Sequence, residues 1–202
     1  MTRQKTPADF FNYEILPKFG LRSATFTEVA GRASATIRGS AALQSAICEF
    51  WYDADIDIYI PTEEGVALLE GYLIACDYRL EATPASHYNS PAIRTIRTYV
   101  YPEIHAKIQL IQYNVCKPIN ADIAAAGFIY DPLTGQLDMR GHSEELLANR
   151  ITYMLPCEGV NEERVRKYKD RGFVILKEKP AILDCCKGVA PLVHQGRYFS
   201  LD

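Results

Sequence analysis

No apolar run in these 202 residues approaches the ~20 consecutive residues that a membrane-spanning helix needs. The first twenty residues, "MTRQKTPADFFNYEILPKFG", carry basic side chains but no continuous apolar stretch, so no secretory signal is expected there. The six cysteines, at 48, 76, 116, 157, 185 and 186, follow no regular framework. They read as reduced thiols of a cytosol-like compartment, most of them small buried apolar residues. Neither sign of charge dominates. A formal net charge of -3 gives no global pull toward nucleic acid or anionic lipid, so any such contact must come from a local patch. Glycine and proline are thinly spread, and there is no internal repeat, low-complexity segment or convincing linker.

What is present is an ordinary globular composition, 48% hydrophobic and 23% charged, long enough for one substantial core. The patterning gives an α+β order. Residues 7–19 read as a short amphipathic helix interrupted at Pro17, and 24–40 as two short strands turning at Gly31–Arg32. Residues 40–51 have helical spacing, and 54–61 switch to period two as a strand closed by Pro61. Thr62 followed by acids starts a helix over 62–78. Residues 93–101 and 103–113 alternate around Pro102 as a hairpin. Residues 121–139 hold an Ala-rich segment, the strand "GFIYD", a turn and a return. Two C-terminal helices follow, over 143–155 and 161–173, the second stopped at Gly172. One domain over 1–202 is expected, with its core at roughly 33–176 and a C-terminal tail over 177–202.

The unusual stretch is "GSAALQSAICEFWYDADIDIYIP", from Gly39 to Pro61. On a strand, residues two apart share a face, so Asp53, Asp55 and Asp57 point one way while Ile56, Ile58 and Ile60 point into a core. Like charges aligned in this way repel unless a cation sits against them. Two carboxylates at i and i+2 can reach one divalent ion, and Mg2+ typically combines protein carboxylates with substrate phosphates. The plainer reading is a solvated acidic face, with Asp53 a loop residue ahead of the strand. Gly39–Ser40, ending one strand and opening a helix, offers free backbone N–H groups and a hydroxyl to phosphate oxygens; as a plain N-cap, Ser40 would serve equally well. The combination of strand, Gly-Ser, one helix and a D-x-D strand is rarer than either part.

That combination resembles the polymerase-β-like nucleotidyltransferase superfamily. "NADIAAAGFIYDPLTG" (120–135) and "RKYKDRGF" (166–173) are similar to a later pattern in the uncharacterised nucleotidyltransferase-like domains of giant viruses and fungi. The likeness spans about 37–176. It implies a mixed sheet flanked by helices, with a C-terminal helical region. It also implies transfer of a nucleoside monophosphate from an NTP, dependent on Mg2+ or Mn2+, to an acceptor that could be RNA or protein. Gly39 and Ser40 would hold the β/γ-phosphates, Asp55 and Asp57 the metal, and Asp53 would be auxiliary. The expected setting is the cytoplasm, or host cytoplasm or virion for a viral protein. The superfamily's third carboxylate falls on the strand "AKIQLIQ" (106–112), where this chain has Gln109, an amide that brings no charge to a metal and is no general base. Asp53 or Asp122 are the available substitutes. The alternative function is therefore a degenerate fold that binds nucleotide, RNA or a protein partner without turnover.

The remaining constellations are weaker. Arg164, Arg166, Lys167, Lys169 and Arg171 on the helix of 161–173 could contact phosphates, with Tyr168 stacking; a solvated face offset by Glu162, Glu163 and Asp170 is the favoured reading. Cys185, Cys186 and His194 fit no common zinc spacing. His87 and His105 are isolated, and no Ser-His-Asp order or nucleophile elbow occurs.

Overall fold

Ile56, Ile58 and Ile60 are fully buried, and the strand that carries them is the middle of a seven-stranded sheet. The computed structural model describes residues 5–81, 91–103, 106–119, 121–156 and 161–179. The fold is mixed α+β. The strands are β1 (Thr36–Arg38), β2 (Ile56–Ile60), β3 (Arg79–Leu80), β4 (Ile93–Tyr101), β5 (Ala106–Tyr113), β6 (Ile129–Tyr130) and β7 (Leu137–Asp138). Their order is β3-β4-β5-β2-β1-β6-β7; β2 and β5 run parallel and every other pair is antiparallel. A separate parallel pair joins β8 (Ile151–Tyr153) and β9 (Val174–Leu176). His87, His105 and the Cys185–Cys186–His194 group lie outside the described residues.

The parallel β2–β5 pair needs a crossover, and α5 (Glu63–Ala75) begins it, capped by the Thr62 hydroxyl accepting from the Gly65 N–H at 3.1 Å. Gly65 is required by contact. A Cβ there would stand 2.7 Å from Ile60 Cγ2 and 2.9 Å from the Ala33 carbonyl oxygen, so only hydrogen lets α5 approach the sheet. Helix α4 (Ser40–Ile47) buries Ala41, Ala42 and Leu43 against β1 and β2. Its buried Gln44 accepts from the Trp51 N–H at 2.6 Å, which fixes the turn leading into β2.

Three expected elements differ. The first helix is not interrupted at Pro17. It runs as α1 (Pro7–Phe10), a π turn (Phe11–Ile15) and α2 (Leu16–Lys18), with Leu16 N–H bonded to the Phe11 carbonyl. The wider turn absorbs the donor that proline lacks and the clash of its ring with the preceding turn. The expected first strand of 24–40 is instead helix α3 (Ser23–Arg32). Phe26, Ala30 and Ala33 are all buried, a helical spacing that Thr and Val made look like alternation. The third, the helix of 143–155, stops early: α6 (Glu144–Ala148) ends at Asn149, Arg150 takes φ 53°, and Ile151–Tyr153 pair as β8. β-branched Ile151 and Thr152 favour that pairing over a further helical turn.

Buried His142 ties this region together, stacked on Tyr153 at 5.6 Å and edge-on to Phe128 at 5.5 Å. Burial pushes its pKa below the ordinary 6.5. Below about pH 6.5 the unfolded chain therefore takes up a proton that the folded protein resists, and stability falls with falling pH. Denaturant midpoints should drop between about pH 7 and pH 5, and His142→Phe should flatten that drop. An equal drop in the variant would rule out His142 as its source.

Candidate functional site

The face of β2 opposite the isoleucines carries Asp57 and Tyr59, with Asp55 just before the strand. These three side chains line a cleft of about 720 Å³, together with Arg38, Gly39 and Ser40 from the β1–α4 junction and Gln109 from β5. Registers explain the grouping. Arg38 lies opposite Asp57 across β1–β2, and Gln109 lies beside Asp57 across β2–β5, so all three share one face.

Gly39 adopts φ 69°, and a Cβ there would stand 3.2 Å from Asp57 Oδ2. Both the left-handed backbone and the nearby carboxylate demand glycine. No side chain caps the first turn of α4, whereas Thr62, Ser143 and Asn161 cap α5, α6 and α7 (Glu162–Asp170). The opening turn of α4 thus presents its N–H groups beside the cleft, with Ser40 lining it.

Asp55 and Asp57 form no ion pair among the described residues. Burial, reinforced by the charge of Asp55, pushes the Asp57 pKa up to about 7, against the opposing pull of Arg164 and Lys167. Burial also raises Asp55, with Lys167 and Lys107 opposing. Two carboxylates held above their ordinary range on one side of this cleft fit a hard divalent cation. No group of three His, Cys, Asp or Glu side chains suited to a metal occurs among the described residues. A cation here would complete its shell with ligand oxygens, the usual arrangement when Mg2+ accompanies a nucleotide.

Asp53 is not on this face. It sits in the turn before β2, 65% exposed, and does not line the cleft. Arg171 Nη2 donates to both of its oxygens at 2.9 and 3.0 Å, and Lys167 Nζ lies 3.7 Å away. Burial alone would raise the Asp53 pKa, but its bonds and charge interaction with Arg171, with help from Lys167, hold it below the ordinary value. Asp122 is likewise committed elsewhere. Only 5% exposed, it accepts from Arg164 Nη1 at 2.7 Å and from the Asn161 N–H at 3.0 Å, fastening the start of α7.

The basic helix is not a solvated face on all sides. Arg164, Lys167, Tyr168 and Arg171, spaced three, four and seven apart, all line the cleft. Tyr168 is buried, and the Arg171 guanidinium lies 4.1 Å above the Trp51 ring. These cations, distant in sequence, are what stands against the acidic stretch. Helical spacing within 161–173 carried that signal. Arg38, Tyr59 and Arg140 also line the cleft, unremarked in the sequence. Of these, Tyr59 was findable by extending the Asp55–Asp57 period by one step; nothing in the turn around Arg140 marks it.

No known protein family's pattern matches the chain, and no curated protein matches it either. Among solved structures, it is similar to a tRNA-processing enzyme in an apo form, at 11% identity and a TM-score of 0.49. The alignment covers 71% of this chain and 37% of that enzyme, so the chain spans little more than a third of its length. No helix among the described residues is long and apolar enough to cross a membrane.

Proposed function

We propose that the cleft binds a nucleoside triphosphate together with one Mg2+ or Mn2+, as in the nucleotidyltransferases that the sequence resembles, and that transfer of the nucleoside monophosphate is slow or absent. The observation that supports this reading is the row Gly39–Asp57–Gln109: an uncapped helix start, a half-buried carboxylate and, in register beside it, an uncharged amide. Backbone N–H groups at Gly39–Ser40 suit phosphate oxygens. Asp55 and Asp57 would hold the cation, which neutralises charge on the phosphates when bound.

In nucleotidyl transfer an acceptor oxygen forms a bond to the α-phosphorus as the bond to the bridging oxygen breaks and pyrophosphate leaves. The acceptor hydroxyl must also give up its proton. Gln109 cannot take it, and the two substitutes that the sequence offers, Asp53 and Asp122, are engaged with Arg171 and Arg164. The active enzyme remains the second reading, favoured by the intact Gly-Ser and Asp-x-Asp elements; its acceptor would be RNA or protein.

Equilibrium binding of each NTP with Mg2+ or Mn2+, alongside transfer of labelled α-phosphate to RNA or to protein, separates the two. Metal-dependent NTP binding with little transfer is expected, and Gln109→Asp should leave binding intact while raising transfer. Robust transfer by the unmodified protein, lost in Asp55→Ala or Asp57→Ala, would establish the active enzyme instead. Absence of NTP binding would sink both.

A further inference from the structure

The guanidinium of Arg38 is the unexplained group of the cleft. Its cross-strand neighbour is Asp57, yet the two form no ion pair. Instead Arg38 lies over the rings of Tyr59, at 4.7 Å, and Tyr113, at 5.3 Å, and its Nε donates a long bond of 3.4 Å to the Thr36 hydroxyl. Stacking orients a guanidinium without neutralising it. Arg140 lines the same cleft and sits close enough for its charge, after burial, to count among the causes that lower the Arg38 pKa. Its own carboxylate contact, Asp138 at 3.5 Å, is exposed at the end of β7. Two like charges thus face one cavity, one of them largely withdrawn from water with no carboxylate partner among the described residues. An arginine in that setting costs stability unless an anion arrives.

We propose that Arg38 and Arg140 form a phosphate subsite, distinct from the Gly39–Ser40 seat and from the carboxylate pair, that takes a phosphate monoester or terminal phosphate by forked guanidinium donation. The rings of Tyr59 and Tyr113 fix the plane of Arg38, so little side-chain freedom is lost when the anion binds. The keeping apart of Arg38 and Asp57 follows from the same arrangement: a carboxylate bound to Arg38 would be lost to a cation, and Arg38 would be lost to the phosphate. The phosphate can come from the distal end of the bound nucleotide or from a phosphorylated acceptor end. This subsite deepens the nucleotide reading and rests on it for the identity of the ligand.

Calorimetric titration tests it with inorganic tripolyphosphate, ATP, AMP, and an oligoribonucleotide with and without a terminal phosphate, each with and without Mg2+. Arg38→Gln and Arg140→Gln should each weaken tripolyphosphate binding by about tenfold or more, the loss expected for one charge-assisted contact. Arg38→Lys, which keeps charge but not the fork, should recover only part. If the loss extends to ATP and not AMP, the nucleotide's distal phosphate is the occupant. A loss confined to the phosphorylated oligonucleotide assigns the acceptor end. Arg140 is exposed, so its variant tests the subsite even if Arg38→Gln folds poorly by circular dichroism. Unchanged affinities in Arg140→Gln and Arg38→Lys, with the unmodified protein binding ATP, would overturn the subsite and leave the nucleotide reading standing. Tripolyphosphate binding that depends on both arginines, with no nucleotide bound, would do the reverse.

Discussion

Replacing Asp57 by asparagine is expected to stabilise the divalent-free protein at about pH 8, although it deletes a residue at the centre of the site. The Asp57 pKa rises from the ordinary 3.8 to about 7 in the folded protein, chiefly through burial. A carboxyl raised in this way favours the folded state while it keeps its proton. That contribution is complete below about pH 4 and is lost as pH climbs through about 7, because the unfolded chain ionises freely and the folded one does not. The difference is on the order of 2–4 kcal/mol, or roughly 5–10 °C in melting temperature for a chain of this size. With EDTA present, the unmodified protein should therefore lose stability through Asp57 as pH rises from about 4 to about 7. Asp57→Asn should remove that component and melt higher at about pH 8. Mn2+ with ATP should then stabilise the unmodified protein but not Asp57→Asn, by about 2–3 kcal/mol at ligand concentrations near a hundred times Kd. A variant that melts lower than the unmodified protein at about pH 8 in EDTA would show that Asp57 is not a strained charge.

The second large effect falls on Asp122. Its carboxylate is buried, and it fastens the start of α7 by an ion pair to Arg164 and a bond from the Asn161 N–H. Asp122→Ala removes one acceptor from the Arg164 guanidinium and the acceptor that holds that N–H. The expected cost is about 3 kcal/mol, the lower end for broken buried pairs because Arg164 retains some solvent access. Chemical denaturation should show a lower midpoint with an unchanged slope. Asp122→Asn, which can still accept from the backbone, should lose less. Since α7 and its C-terminal cap also supply Lys167 and Arg171 to the cleft, NTP affinity should fall alongside stability. An Asp122→Ala protein of unaltered midpoint would mean that α7 is held by its apolar contacts, Tyr168 and Phe173 among them, and not by this pair.

Periodicity made the sheet's centre legible. The alternation through Ile56, Ile58 and Ile60, the Thr62 cap, and the hairpin of 93–113 are all local patterns that burial on one face enforces. Gly39–Ser40 was readable for the same reason: a backbone that must turn sharply from strand to helix beside another strand leaves glycine as the residue that fits. Where local patterns were ambiguous they misled. The Thr- and Ala-rich segment over 24–33 satisfies both periods over short windows, and packing of Phe26 and Ala30 against the core selected the helix.

By itself the sequence determined that Asp55 and Asp57 share one neighbourhood, that Gly39 opens a helix near them, and that Gln109 is neutral, since each is a matter of residue type and short spacing. Only the tertiary structure decided what confronts them. Arg171 reaches Asp53 across 118 positions and Arg164 reaches Asp122 across 42, while strand register alone sets Arg38 and Gln109 on either side of Asp57. Charge acts through space and not along the chain. The pairing of Asp53, the isolation of Asp57 and the stacking of Arg38 on Tyr59 and Tyr113 therefore exist only once β1, β2, β5 and α7 are packed together.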